Sequence, residues 1–346
     1  MTNRDKSLDG MRCLAMVWVI AVHCVYWGCF YEGAGMYSLL SLGLFEMPLF
    51  FFITGASNSL GRTEGYASFV YRRFRRILVP YWIYGAVCAL VSMGAWESLT
   101  PLQAGKILLS WLIPWFGQIT TLPYIKWIVW FVPVYLAMVL VLPVMKKLAA
   151  GKWRYLPLPV LAGLFLVTWR LGFYWVRIGV FYGLWTYLGL FYKRLRQGGQ
   201  KLRIGLAVTA LAGFGSLAVC YLLGMGLDLQ NQKFPPTPVF FLYACAAISL
   251  LIPAMGPVGK AFAWLEERKA ASWLVDLYSR RSTTIFLYQT FVFTAVVPLV
   301  RALIPGGGPV AGTLATVLCF ALCVPACGCV AALLGRMEDL GGKKPV

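Results

Sequence analysis

The chain is short of charge, and shorter still of acid. Only 12% of its 346 residues are charged, Asp and Glu together number 12, and histidine occurs once. Soluble domains carry about a quarter charged residues, so this scarcity, with 60% hydrophobic residues and a mean hydropathy of +0.74, excludes a soluble globular chain. No internal repeat of the kind that marks many transporters is visible, and no low-complexity tract or long linker divides the sequence. Residues 1–346 read as one multi-pass membrane domain with no appended soluble domain. No cleavable signal peptide is expected, because Met11–Phe30 is too long for a signal core and lacks a small-residue cleavage site. With no histidine or carboxylate near them in the sequence, Cys319, Cys323 and Cys327 at i, i+4 spacing are better read as helix packing than as ligands, and no metal is expected.

What is abundant is apolar runs. A spanning helix needs roughly 20 mostly apolar residues, because about 30 Å of hydrocarbon is crossed at about 1.5 Å per residue. Ten stretches approach that length: Met11–Phe30, Leu39–Leu60, Ile77–Met93, Trp127–Met145, Tyr155–Arg170, Gly172–Tyr192, Ile204–Gly224, Val239–Val258, Thr283–Leu303 and Val310–Leu334. The fold class expected is an all-α integral membrane bundle of about ten helices, with both termini inside. Lys106–Phe116 is too short to span and reads as re-entrant or interfacial.

Basic residues support that topology. With the N-terminus inside, only Lys106, Lys126, Arg170, Arg177, Lys233 and Arg301 fall outside, and the remaining 25 of 31 lie on the cytoplasmic side, as the positive-inside rule demands. The net charge of +19 is therefore topological and directed at anionic headgroups of the bilayer, and nucleic acid is not an expected partner. The cell membrane is the expected location. Between Gly94 and Lys126, and just beyond, lie Trp96, Trp111, Trp115, Phe116, Tyr124, Trp127, Trp130 and Phe131, which read first as an interfacial aromatic belt.

Ionisable groups within apolar runs cost a few kcal/mol on insertion scales and each needs a reason. His23 lies about twelve residues into the first span, roughly 18 Å from its start and so near or slightly beyond the midplane. Arg12, eleven residues earlier, falls on the same helical face about 16–17 Å away, so a long ligand entering from the cytoplasm could meet both. Glu46 sits in a second apolar run, where His23 or an arginine would be a fitting partner. Thr54-Gly55-Ala56-Ser57-Asn58 is small and polar, suited to close helix approach. Arg72, Arg73, Arg75 and Arg76 precede the third span and combine a topological role with phosphate-gripping chemistry.

In order and spacing these features resemble the acyltransferase type 3 family of membrane proteins. Leu8-Asp9-Gly10-Met11-Arg12 followed by His23 is similar to its opening arginine and histidine separated by ten residues. Pro48–Gly55 resembles its Phe-Phe-x-x-Ser-Gly element with Thr54 for serine, Arg72–Ile77 with Pro80-Tyr81 its basic motif, and Trp130–Pro133 and Ile285–Gln289 later elements. Gln289 stands where a second histidine is common. The resemblance implies acyl transfer, acetyl by family habit, from an acyl-CoA co-substrate to a hydroxyl of a sugar, glycan or glycolipid, without a permanently bound cofactor. It implies donor binding by Arg12 and the Arg72–Arg76 group and chemistry at His23 tuned by Glu46. Asp9, Thr54, Asn58, Trp130 and Gln289 would have supporting parts, with Thr54, Asn58 or an arginine stabilising the oxyanion. A transporter using His23 and Glu46 as a proton relay is the rival reading, and the oligomeric state, homo-oligomer included, stays open.

Overall fold

The computed structural model describes residues 5–32, 34–61, 64–95, 99–114, 117–224 and 227–340, with the backbone alone at 34, 126, 127 and 269–271. Trp96, Trp115 and Phe116 lie outside the described residues, as do the side chains of Lys126 and Trp127. The described chain is helical, apart from an isolated bridge between Lys233 and Pro236. Its first part runs α1 (Lys6–Tyr26), α2 (Ala34–Leu40), a 3-10 turn Ser41–Gly43, α3 (Glu46–Leu60), α4 (Tyr66–Gly94) and α5 (Pro101–Leu112). The middle comprises α6 (Lys126–Val129), α7 (Phe131–Ala150), α8 (Pro157–Arg170), α9 (Tyr174–Gly189), α10 (Tyr192–Gln197) and α11 (Gln200–Leu222). The remainder is α12 (Leu229–Lys233), α13 (Pro238–Glu266), α14 (Lys269–Arg280), α15 (Ser282–Leu303), α16 (Pro309–Leu334) and α17 (Met337–Leu340).

Local chemistry sets several starts. Asp5 caps α1 by accepting from the amides of Ser7 and Leu8 at 3.0 and 3.3 Å, and Thr100 with Gln103 closes a capping box ahead of α5. Pro101, Pro238 and Pro309 open their helices, where a missing N–H costs nothing.

Among the described residues, eight segments are long and apolar enough to cross a membrane, one of them, Gly35–Leu60, made of α2, the 3-10 turn and α3 together. The expected fifth and sixth spans differ: they form α8 and α9, helices of only 14 and 16 residues, or about 21 and 24 Å at helical rise. Leu171-Gly172-Phe173 separates them, with Gly172 at φ +74, a backbone state open to glycine at little cost. The short stretch expected not to span is α5, which lies along α4 with Trp111 over Gly85.

α1 is the axis of the molecule. It packs against α3, α13, α14, α15 and α16 and supplies side chains to both halves of the core, Met16, Ile20 and Cys24 to one, Met11, Ala15 and Val22 to the other. The outer surface is apolar instead of charged: Leu211, Leu222, Val310 and Leu333 are largely exposed, as a lipid-facing surface requires. α3 and α9 cross at contact distance through two glycines. A Cβ on Gly55 would strike the Thr186 carbonyl, and one on Gly189 the Phe52 carbonyl, so the small-residue run ending α3 serves close helix approach.

The aromatic stretch is not a belt where it is described. Trp111 is 3% exposed, Tyr124 stacks on Trp27 with centroids 5.3 Å apart, and Trp130 packs against Phe234 and Tyr182 at 4.6 and 5.7 Å. These rings fill the space between helices, because α5 and the chain after it fold onto the bundle.

Candidate active site

The start of α1, the end of α3, the first turns of α4 and α15, and the end of α14 meet at one end of the bundle. Arg12 projects there from α1. Its guanidinium donates to Asp9 Oδ1 at 3.2 Å and to Ser57 Oγ at 2.8 Å. The arginines of α4 divide by helical phase. Arg73 and Arg76, three residues apart, share a face and line a cleft of ≈ 160 Å³ together with Arg12 and Arg280 of α14. Arg72 instead pairs with Glu64, and Arg75 donates to the Leu340 carbonyl at 3.2 Å. Neither is among the residues lining the cleft.

Carboxylates balance this end only in part. Asp276 pairs with Arg280, and Glu338 Oε2 stands 4.0 Å from Arg76. Glu338 is buried, its Oε1 accepting from the amide and the hydroxyl of Thr284, both at 2.8 Å. Burial raises its carboxyl above the ordinary range, against the lowering effect of Thr284, Arg76 and Arg281. Arg73 is oriented by Asn58, whose Oδ1 accepts from it at 3.2 Å, and its guanidinium lies 5.4 Å from the Phe69 ring. Several planar guanidinium forks around one cleft suit a polyphosphate or a comparable anion.

Away from the arginines the lining becomes apolar, with Met16, Met47, Phe131 and Phe286. The rings of Phe131 and Phe286 lie 4.9 Å apart. His23 is not among the lining residues. It stands in the last turn of α1, which runs from Lys6 to Tyr26. Its ring stacks on Trp27 with centroids 3.7 Å apart and planes at 7°, and Phe293 meets it edge-on at 6.1 Å.

Gln289 settles the state of that ring. His23 Nδ1 lies 3.0 Å from Gln289 Oε1, while Gln289 Nε2 donates to the Phe286 carbonyl at 2.9 Å. Because the amide nitrogen is used as a donor, the oxygen facing His23 is an acceptor, so Nδ1 carries the proton and Nε2 keeps the lone pair in the neutral ring. The residue that departs from the family pattern thus orients the histidine. Phe286 links the two regions, its side chain lining the cleft and its carbonyl anchoring Gln289.

Two expected partnerships are replaced. Glu46 meets neither His23 nor an arginine but Lys233, the last residue of α12, with side-chain exposures of 3% and 12%. The loop after α11 brings this lysine inward, a long-range placement that no local pattern announces. Thr54 and Asn58 lie with the arginines, not beside His23. The Thr54 hydroxyl donates to the Phe50 carbonyl at 2.9 Å and Asn58 Nδ2 to the Thr54 carbonyl at 2.8 Å, so these groups shape the cleft wall and the position of Arg73. Trp130 packs on Phe234 and Tyr182 and does not line the cleft. Arg280, Ser57 and Lys233 had no place in the sequence-based site; Arg280 and Lys233 entered there only as loop charges.

A helical bundle with an apolar exterior, an arginine-lined cleft at one end and a hydrogen-bonded histidine further along the same central helix defines a multi-pass membrane protein. The chain belongs to the acyltransferase type 3 family: a family model described as an acyltransferase domain matches residues 5–328, nearly the whole length. It is a membrane acyltransferase. No curated protein and no solved structure matches the chain.

Proposed function

We propose that the protein transfers an acyl group, acetyl in the simplest case, from a coenzyme A thioester to a hydroxyl of a sugar, glycan or glycolipid at or across the cell membrane. The observation that carries this reading is the arrangement along α1: Arg12 in a cleft with Arg73, Arg76 and Arg280, and His23 about 16–17 Å further along the same helix by residue rise. The arginine end is cytoplasmic in this scheme, α8 and α9 complete a ten-span topology, and both termini lie inside. The nucleotide phosphates of the donor pair with the guanidinium groups. Its pantetheine arm runs along the apolar part of the cleft to the packed pair Phe131 and Phe286, whose rings part to let it reach His23.

At His23, Nε2 takes the proton of the acceptor hydroxyl as the oxygen attacks the thioester carbonyl carbon. The new C–O bond forms, the C–S bond breaks, and the coenzyme thiolate leaves with the proton returned from Nε2. Gln289 keeps Nδ1 protonated throughout and so keeps Nε2 the basic atom. Glu46, neutralised by Lys233, supports the helices around the histidine and does not contact it.

The test uses purified protein in lipid with radiolabelled acetyl-coenzyme A, comparing wild type with His23→Ala and Arg73→Met. Label transfer to a glycan mixture, or release of coenzyme thiol, is expected in wild type. His23→Ala is expected to bind the donor without turnover, and Arg73→Met to bind it weakly. A wild-type protein that neither binds nor turns over acetyl-coenzyme A would overturn the donor assignment.

A further inference from the structure

The structure adds a partner to the cysteine series of α16. Cys24, next to His23 in the last turn of α1, meets Cys319 and Cys323, and the three sulfur atoms all lie within 4.8 Å of one another. Cys319 Sγ and Cys323 Sγ are 3.9 Å apart. All three side chains are fully buried, in a half of the core otherwise made of apolar groups such as Ile20, Phe293 and Val297. This is the one group of three or more metal-ligating side chains found among the described residues.

We propose that Cys24, Cys319 and Cys323 form a three-sulfur site for Cu(I). Three thiol sulfurs around a metal at about 2.3 Å in a trigonal plane would be about 4.0 Å apart, and the Cys319–Cys323 separation already matches that edge. Sulfur-only donors select soft ions, which sets aside magnesium, calcium and manganese. Zinc in a closed site takes four ligands. The next cysteine, Cys327, lies a further turn along α16, and neither it nor His23 is in the cluster. A three-coordinate, monovalent, thiophilic ion is what remains.

When Cu(I) binds, the coordinating thiols give up their protons to solvent and Cu–S bonds form to the resulting thiolates, with no change of oxidation state. Occupied, the site ties the His23 end of α1 to α16.

The experiment titrates the full chain, in detergent under anaerobic reducing conditions, with Cu(I) against a chromogenic Cu(I) chelator. Sulfur coordination is read by X-ray absorption. Wild type is expected to retain one copper per chain with three sulfur neighbours. Cys24→Ala, Cys319→Ala and Cys323→Ala should each lose it, while Cys327→Ala and Cys88→Ala keep it. Thermal melting of each variant establishes that it is folded, and Cys→Ser versions provide a second set should an alanine variant melt early. Failure of wild type to hold copper against the chelator, or equal retention by folded triad variants, overturns the site. Neither outcome depends on acyl transfer.

Discussion

Gln289 and His23 form a one-directional pair: the amide oxygen accepts from Nδ1 at 3.0 Å because the amide nitrogen is already held by the Phe286 carbonyl at 2.9 Å. A second histidine at position 289 would be able to exchange a proton with His23. Glutamine cannot, so in the proposed mechanism it acts as a positioning residue and His23 alone moves the proton. Gln289→Leu should therefore forfeit part of the roughly 10²–10⁴-fold that a general base supplies. The expected result is a lower kcat at nearly constant donor KM. A kcat equal to wild type would show that the pair does not set the tautomer used in turnover.

Helical phase separates the arginines of α4 into two classes that the motif alone does not distinguish. Arg73 and Arg76 line the cleft, while Arg72 faces Glu64 and Arg75 the Leu340 carbonyl. Loss of a hydrogen bond to a charged group costs about 1.5–3 kcal/mol, so Arg73→Met should weaken donor binding by roughly ten- to a hundred-fold. Arg72→Gln and Arg75→Gln should change it little. Equilibrium binding of labelled acetyl-coenzyme A decides the matter, and equal losses at all four positions would mean that diffuse charge, not the cleft, attracts the donor.

Much of this was legible in the sequence, for reasons that can be stated. Apolar runs announce helices because the bilayer allows a span little else, and the face shared by Arg12 and His23 follows from 3.6-residue periodicity. The glycine in Ile53-Thr54-Gly55 was readable as a site of close approach. Long-range pairings were not readable. Lys233 reaches Glu46 from 187 residues away, and Cys24 meets Cys319 through the packing of α1 on α16. Hydrophobicity also cannot separate a lipid-facing tryptophan from one packed inside, which is why Trp111 and Trp130 read as a belt, whereas Trp111 is core and Trp130 packs half-buried against the core.

The α3–α9 crossing has no room for a side chain at Gly55 or Gly189. Overpacking a tight interface typically costs about 1–3 kcal/mol, and here the obstacle is backbone on both sides. Gly55→Ala and Gly189→Ala should lower the melting temperature in detergent, and Gly55→Ala should also impair donor binding, because Thr54 and Ser57 on the same helix line the cleft. Gly105, with open space around its missing Cβ, is the control. Variants at positions 55 and 189 that melt like Gly105→Ala would refute the close crossing.

Glu46 and Lys233 are buried together, and removing one leaves the other's charge stranded at a cost of about 3–5 kcal/mol. Lys233→Met should be strongly destabilised, whereas the double change Glu46→Gln with Lys233→Met should recover most of the loss. If the double variant is also active, Glu46 serves structure and not proton transfer. A double variant no more stable than Lys233→Met would contradict the pairing.

α17 carries the pH-sensitive contact of the arginine end. Glu338 is buried between Thr284 and Arg76, and burial holds its carboxyl above the ordinary carboxylate range. The folded protein therefore binds a proton that the unfolded or undocked segment releases. Its contribution to docking is fully present below about pH 4.5 and fades as pH rises through the elevated folded value. Hydrogen exchange of the Thr284 amide, which donates to Glu338, should accordingly lose protection across that window by more than the intrinsic rate predicts. Glu338→Gln keeps an acceptor for Thr284 but cannot ionise, so its protection should be independent of pH after the same correction. Identical pH profiles for wild type and Glu338→Gln would assign the docking of α17 to Arg281–Asp339 and Arg75–Leu340 instead.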